Sequence, residues 1–196
     1  MSRNDRNRII KWRSFVSLIA SLLEDISFRD SNGKSISFTR GFALWRQMAI
    51  NVRNDQKTLF LIGNGASASM ASHFAADLSK NAHLHTQVFS DLSLITAVSN
   101  DMGYENVFSE PLTHCAVKGD MLLAISSSGR SANIIKALGV ARRLGLSLVS
   151  LTAMDPDNPI RTSADLNIYV TAKTFSLAET CHAAILHYWM DLLELR

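Results

Sequence analysis

Two cysteines and three prolines in 196 residues leave little to staple this chain or to break it. Cys115 and Cys181 are too few and too irregularly placed for a disulfide framework or a zinc ribbon, and they suit a reducing cytoplasm. No apolar stretch approaches transmembrane length. The run from Phe15 to Leu23, after a basic start, faintly mimics a signal peptide. Ser17 and Ser21 interrupt it, and no small-residue cleavage site follows before Glu24 and Asp25. There is no internal repeat, linker or low-complexity segment. An excess of one charge is also modest: the net charge is +3 and the isoelectric point near 9.0. Much of that excess sits in Arg3, Arg6, Arg8, Lys11 and Arg13. With no aromatic-and-basic interleaving beyond it, the cluster reads as a solvated helix face. We expect neither a nucleic-acid nor a membrane partner.

What remains is globular: 47% hydrophobic and 19% charged residues, with a mean hydropathy of +0.08. The length suits one domain with a large core. Ile9, Trp12, Phe15, Val16, Ile19, Leu22, Leu23 and Ile26 recur at helical steps, which predicts a helix from Arg8 to about Ile26. Residues 28–38 read as a loop around Asp30, Ser31, Asn32 and Gly33. Phe42, Leu44, Trp45, Met48, Ala49 and Val52 then suggest a second helix. Five short strands follow, at Leu59–Ile62, Thr86–Phe89, Met121–Ile125, Ser147–Leu151 and Leu166–Val170. Helices are expected after Ser67, briefly over Leu94–Val98, over Tyr104–Val117 with a break or start at Pro111, over Ala132–Leu144, and from about Leu177 onward. We therefore read residues 1–196 as a single α/β domain, with N-terminal helices in 1–56 and an α/β core in 57–196.

Two strand ends attract attention. After Leu59–Ile62 comes Gly63-Asn64-Gly65-Ala66-Ser67, where glycines permit a tight turn. The helix that follows would aim its first N–H groups and its positive dipole end at an anion, beside the hydroxyls of Ser67 and Ser69. Such a turn serves equally as a plain strand-to-helix connection. After Met121–Ile125 the chemistry recurs in Ser126-Ser127-Ser128-Gly129-Arg130-Ser131, where four hydroxyls precede another helix. Both turns would lie at the carboxyl edge of parallel strands, where open α/β sheets bind ligands.

From about Leu59 onward, these residues carry a resemblance to the sugar isomerase (SIS) domain, and within it to the bacterial phosphoheptose isomerases. The matching pieces are Gly63–Ser67, His73–Leu78, Ser99–Gly103, Gly119–Lys136, and the terminal helix with Glu179 and His187. The resemblance implies a three-layer α-β-α sandwich on a five-stranded parallel flavodoxin-like sheet, preceded by N-terminal helices. It implies a homotetramer with sites between subunits, those helices serving the assembly. The implied activity is aldose–ketose isomerisation of a sugar phosphate, interconverting sedoheptulose 7-phosphate and D-glycero-D-manno-heptose 7-phosphate through an enediol. A non-catalytic phosphosugar sensor, a tetrameric adaptor of the replication-initiator-binding type, and an isomerase of a different phosphosugar are the alternatives.

The resemblance implies that Ser126, Ser127, Ser128 and Ser131 hold phosphate, while Asn64, Gly65, Ala66, Asn100, Asp101 and Glu179 orient the sugar. Asn100 and Asp101 are also ordinary turn residues. His73 and Asp77, four apart, share a helix face. Glu179 and His187, eight apart, lie two turns apart on the last helix. His73, Asp77, Glu179 and His187 make an acceptable set for one zinc ion, and Asp77, Glu179 and His187 are the candidates for proton transfer. Histidines and acids at helical spacing are as often structural, and His182 rivals His187. The heptose isomerases carry a glutamate where this chain has Asp77 and a glutamine where it has Glu179, so the base is one of these two carboxylates. The resemblance favours Asp77, whose place beside His73 matches the family's catalytic carboxylate, over Glu179, whose place is normally uncharged.

Overall fold

A computed structural model describes residues 11–194; Arg3, Arg6, Arg8 and Ile9, counted above in a helix face, lie outside the described residues. Helix α1 (Trp12–Glu24) follows the apolar spacing. The stretch expected as a loop instead forms a hairpin, β1 (Ser27–Asp30) and β2 (Ser35–Ile36). The carboxylate of Asp30 ties its turn by accepting from the N–H groups of Asn32 (3.0 Å) and Lys34 (2.9 Å). Only Phe28 of β1 is fully buried, so the strand carries no alternating apolar signal in sequence. Helix α2 (Phe38–Asn54) follows.

The apolar runs become the sheet: β3 (Thr58–Gly63), β4 (His85–Val88), β5 (Met121–Ser126), β6 (Ser147–Thr152) and β7 (Leu166–Tyr169). These five strands are parallel, in the order β7-β6-β5-β3-β4. The hairpin extends them, since β1 pairs antiparallel with β7 and with β2, giving seven strands in place of the expected five. The addition covers what would be an open edge of β7.

Helices take both faces. Helix α3 (Ala66–Ala82) and the closing α7 (Phe175–Glu194) join α1 and α2 against Leu59, Leu61, Leu123, Ile125 and Leu151. The other face, lined by Phe60, Ile62, Leu122, Ala124 and Leu148, receives α4 (Leu92–Met102), α5 (Ser109–Cys115) and α6 (Ala132–Leu144). Burial on both faces is why β3 and β5 are almost wholly apolar. Helix α4 is longer than expected, because Asp91 caps it by accepting from the N–H of Leu94 at 2.9 Å. Tyr104–Val117 is not one helix: a 3-10 turn, Tyr104–Asn106, precedes α5, and Pro111 sits in the first turn of α5, where a missing N–H costs nothing.

Helix α7 is locked to α2 by the stacked indoles of Trp45 and Trp189, whose centroids lie 4.2 Å apart with planes 9° from parallel. Both rings are fully buried, and both indole nitrogens lack a hydrogen-bond partner. The apolar area of the rings and their stacking therefore outweigh two unsatisfied donors. Arg46 of α2 adds a hydrogen bond from Nε to the carbonyl of Leu192 at 2.6 Å. Trp189→Ala is expected to lower stability by about 3–5 kcal/mol, read as a shift of the urea midpoint at unchanged slope.

Candidate functional site

The turn after β3 is built around Gly63. A Cβ on it would stand 2.6 Å from the backbone carbon of Ser67, so only glycine lets strand end and helix start meet so closely. Gly65 follows at φ +56° as the N-cap of α3, and the first turn closes through Ser67 N–H to Asn64 O and Ala68 N–H to Gly65 O, both 3.0 Å. Ala66, the first helical residue, keeps a negative φ.

The turn after β5 lies beside it. Gly129, at φ +60°, donates its N–H to Ser126 O at 3.1 Å and rests on Asn158, whose Oδ1 would be 2.0 Å from any Cβ at this position. The loop is tied to the next strand by Ala153 N–H donating to Ser127 O at 3.0 Å. Ser131 is the N-cap of α6, yet its hydroxyl makes no capping bond. Arg130 points away from the serines and pairs with Asp155, whose carboxyl the guanidinium and the N–H of Asp157 hold below the usual range.

Between the two turns is a cavity of about 240 Å³. Asn64, Gly65, Ala66 and Ser67 line one side; Ser126, Ser127, Ser128 and Ser131 line another; Phe175 and Glu179 close it from α7. Among the described residues, no lysine or arginine lines it. The Glu179 carboxylate makes no hydrogen bond or ion pair among the described residues. Two helix N-termini and four loop hydroxyls converging on one space can bind a phosphate by directed donors alone. Of the residues expected beside the anion, Ser67 lines the cavity and Ser69 does not.

The other sequence-predicted residues lie elsewhere in the chain. His73 and Asp77 pair on α3 at 3.4 Å, and the His187 ring of α7 comes within 5.8 Å of the His73 ring and 4.7 Å of the Phe74 ring, centroid to centroid. Asp77 is eleven residues along α3 from Ala66, roughly 16 Å, and His187 eight along α7 from Glu179, roughly 12 Å. Asn100 and Asp101, expected in a turn, occupy the last turn of α4. Asn100 Nδ2 donates to Asp101 Oδ1 at 2.8 Å, and neither residue lines the serine cavity.

In donor chemistry, two imidazoles and a carboxylate suit zinc. Among the described residues of one chain, however, no three His, Cys, Asp or Glu side chains gather closely enough to hold a metal. His73, Asp77 and His187 therefore do not close a metal site within one chain, and helical rise puts Glu179 roughly 12 Å from His187.

His182 is excluded as the rival to His187. It is fully buried, its Nε2 lies 3.2 Å from Thr152 O, its Nδ1 has no partner, and burial pulls its pKa down to about 4. Three residues escaped the sequence reading of the site. Phe175 gives no motif signal; Asn133 and Tyr104 fall within or beside matched motifs but reveal their role only through contacts described below.

Comparison with known proteins gives a consistent picture. Residues 43–153 match the model of the SIS domain. The chain is 34% identical over 153 residues to a phosphoheptose isomerase of Helicobacter pylori, covering 75% of this chain and 79% of the relative. With a phosphoheptose isomerase of Chlorobaculum parvum it shares 36% over 184 residues, covering 89% and 84%. The solved structure of a phosphoheptose isomerase from Francisella tularensis superposes over the whole of both chains with a TM-score of 0.82 at 20% identity, a likeness of fold.

Two outcomes are expected. Ser128→Ala and Ser131→Ala should each weaken inorganic phosphate binding by about 1.5–3 kcal/mol, measured by titration calorimetry. His182, neutral in the fold, takes a proton more readily once unfolded, so the unfolded state binds more protons between pH 6.5 and 4 and stability falls as pH drops through that window. The loss should reach roughly 3 kcal/mol, and melting from pH 8 to 4 should be flatter for His182→Gln.

Proposed function

This chain belongs to the SIS-domain family and groups with its phosphoheptose isomerases, and from that premise we propose that it is an aldose–ketose isomerase of sedoheptulose 7-phosphate. The observation that carries the reading is the cavity in which two helix N-termini and four loop serines face a carboxylate from α7. The serines and helix ends would hold the phosphate, and Asn64, Gly65 and Ala66 the neighbouring part of the sugar. Asn100 and Asp101 would meet the ligand only where α4 borders the site in the assembled protein.

Glu179 is our assignment for the base, because it is the carboxylate that lines the cavity and has no competing partner. It would remove the proton from C1 of the ketose as the C2 carbonyl oxygen gains one, giving the enediol. Returning the proton to C2 while the C1 hydroxyl loses its own gives the aldose. His187 is assigned as the group that moves protons between the two oxygens. Zinc, when bound, would supply a Lewis acid for the sugar carbonyl. His73, Asp77 and His187 are its candidate ligands, but within one chain they do not gather closely enough to hold it. A neighbouring copy would have to complete the set, and a His187 bound to the metal would give up the proton-moving role. We keep Glu179 out of that set because α7 carries it roughly 12 Å from His187.

Helical rise sets Asp77 roughly 16 Å from Ala66 along α3 and His187 roughly 12 Å from Glu179 along α7, and this separation within one chain supports sites completed by a neighbouring copy. We therefore assign a homotetramer. Exposed Trp12, Val16, Phe38 and Tyr188 on α1, α2 and α7 supply apolar surface for it. Cys115 and Cys181 are both free thiols, in keeping with a cytoplasmic protein.

Incubation with sedoheptulose 7-phosphate and zinc in deuterated water should give aldose labelled at C2, followed by NMR. Glu179→Gln should slow exchange by about two orders of magnitude or more while inorganic phosphate binds at least as tightly, a like charge having been removed. Asp77→Asn should be the milder lesion. The reverse ranking would make Asp77 the base, and no exchange by wild-type protein would refute the isomerase reading.

A further inference from the structure

The two anion-facing turns are joined by a closed hydrogen-bonded pair of side-chain amides. Asn64 Nδ2 donates to Asn133 Oδ1 at 3.0 Å, and Asn133 Nδ2 donates back to Asn64 Oδ1 at 2.9 Å, across 69 residues of sequence. Asn133 is buried in the first turn of α6, and its Oδ1 also accepts the backbone N–H of Ile134 at 3.0 Å. A backbone N–H can only donate, so this bond fixes which end of the Asn133 amide is oxygen, and through the pair it fixes Asn64 as well. The Asn64 oxygen takes a second bond from the hydroxyl of Tyr104 at 3.1 Å. Tyr104 stands on the 3-10 turn after α4, so a third segment of the chain enters the same contact.

Counting valences on Asn64 gives it a definite role. Both lone pairs of its oxygen are used, one by Asn133 and one by Tyr104, and one of its two N–H bonds goes to Asn133. A single N–H is left on Asn64, a residue that lines the serine cavity. We infer that Asn133 and Tyr104 are positioning residues that make Asn64 a hydrogen-bond donor only, aimed at an acceptor oxygen of the ligand on its phosphate side. An unrestrained asparagine could rotate its amide by half a turn and present oxygen to the anion, which would repel it. With the pair closed, that alternative would break both bonds of the amide pair and force the Tyr104 hydroxyl to turn from donor to acceptor. Asn133 and Tyr104 therefore act on ligand binding without touching the ligand.

This inference rests on the sugar-phosphate reading for its substrate, but its first probe, inorganic phosphate, is independent of the chemistry. Calorimetry with phosphate, and steady-state kinetics with sedoheptulose 7-phosphate, are compared for wild type, Asn133→Ala, Tyr104→Phe, Asn64→Ala and the Asn64→Ala/Asn133→Ala double variant. Asn133→Ala should weaken phosphate binding about tenfold and raise KM to match, with kcat within about twofold. Tyr104→Phe, which deletes one hydroxyl on a half-exposed ring, should show the same split at about threefold. The double variant should bind no more weakly than Asn64→Ala, since Asn133 acts through Asn64. Unchanged phosphate affinity in Asn133→Ala, losses that add in the double variant, or a fall in kcat at constant KM would each overturn the inference. So would a wild-type protein that does not bind phosphate. If Asn133→Ala fails to fold, Tyr104→Phe alone and combined with Asn64→Ala carries the same cycle. Phosphate binding that follows this pattern without turnover of the sugar would sink the isomerase reading and leave the amide pair standing.

Discussion

The site depends on one topological constraint: β3 and β5 are hydrogen-bonded neighbours, yet the chain leaves them toward opposite faces of the sheet. From Gly63 it turns into α3, on the face shared with α1, α2 and α7; from Ser126 it turns into α6, on the other. Parallel strands send both turns to the same edge, and the divergence of the helices opens a crevice between them. Because the register sets Gly63 opposite Ile125, the two turns leave the sheet at nearly the same height. The field that the two helix N-termini project draws a phosphate without a lysine or arginine, and none among the described residues lines the cavity.

That arrangement obliges small or special residues at the points of contact. Gly63 has no room for a Cβ against Ser67, and Gly129 has none against Asn158 while also holding a positive φ. Behind the cavity the strands are not purely apolar. Asn167, buried on β7, donates to the hydroxyls of Ser150 (2.9 Å) and Thr152 (3.0 Å) and accepts from Arg161 Nε (3.3 Å), while His182 reaches the Thr152 carbonyl. Arg161, itself buried, adds bonds to Pro156 O and Ser27 Oγ and lies 4.0 Å over the Tyr169 ring. Each of these bonds has a geometry that a shifted register would lose, so the network discriminates against slipped pairings of β6, β7 and the added hairpin.

Much of this was legible in sequence because the physics that fixes it is local. Wholly apolar runs bounded by glycine and serine announced β3 and β5, and the spacing from Ala132 to Leu144 announced α6 with the bounds observed. The serine turns were readable as donors at helix starts. What was not readable depends on pairs distant in the chain. A four-residue strand with one buried phenylalanine has no periodic signal, so β1 passed for a loop until its pairing with β7 is seen. Asn64 and Asn133 gain their meaning only when two turns 69 residues apart come together. Spacing on α3 and α7 correctly put His73 beside Asp77, but a shared helix face does not say how far that face lies from the serines. The choice between His182 and His187 rests on burial, which the flanking Cys181, Ile185 and Leu186 only hint at.

Helix α7 carries Glu179 at the cavity and His187 at the imidazole cluster, and its far end is pinned by the Trp45–Trp189 stack. It therefore behaves as a measuring rod anchored at one end. The distance between the two chemical stations is set by helical rise and cannot be adjusted by exchanging a loop or lengthening a side chain. Moving one of these side chains without the other would require the rod itself to tilt or slide, and the stacked indoles resist both. The placement of Glu179 relative to His187 is thus vested in the hydrophobic packing of α2 against α7, well away from the cavity itself.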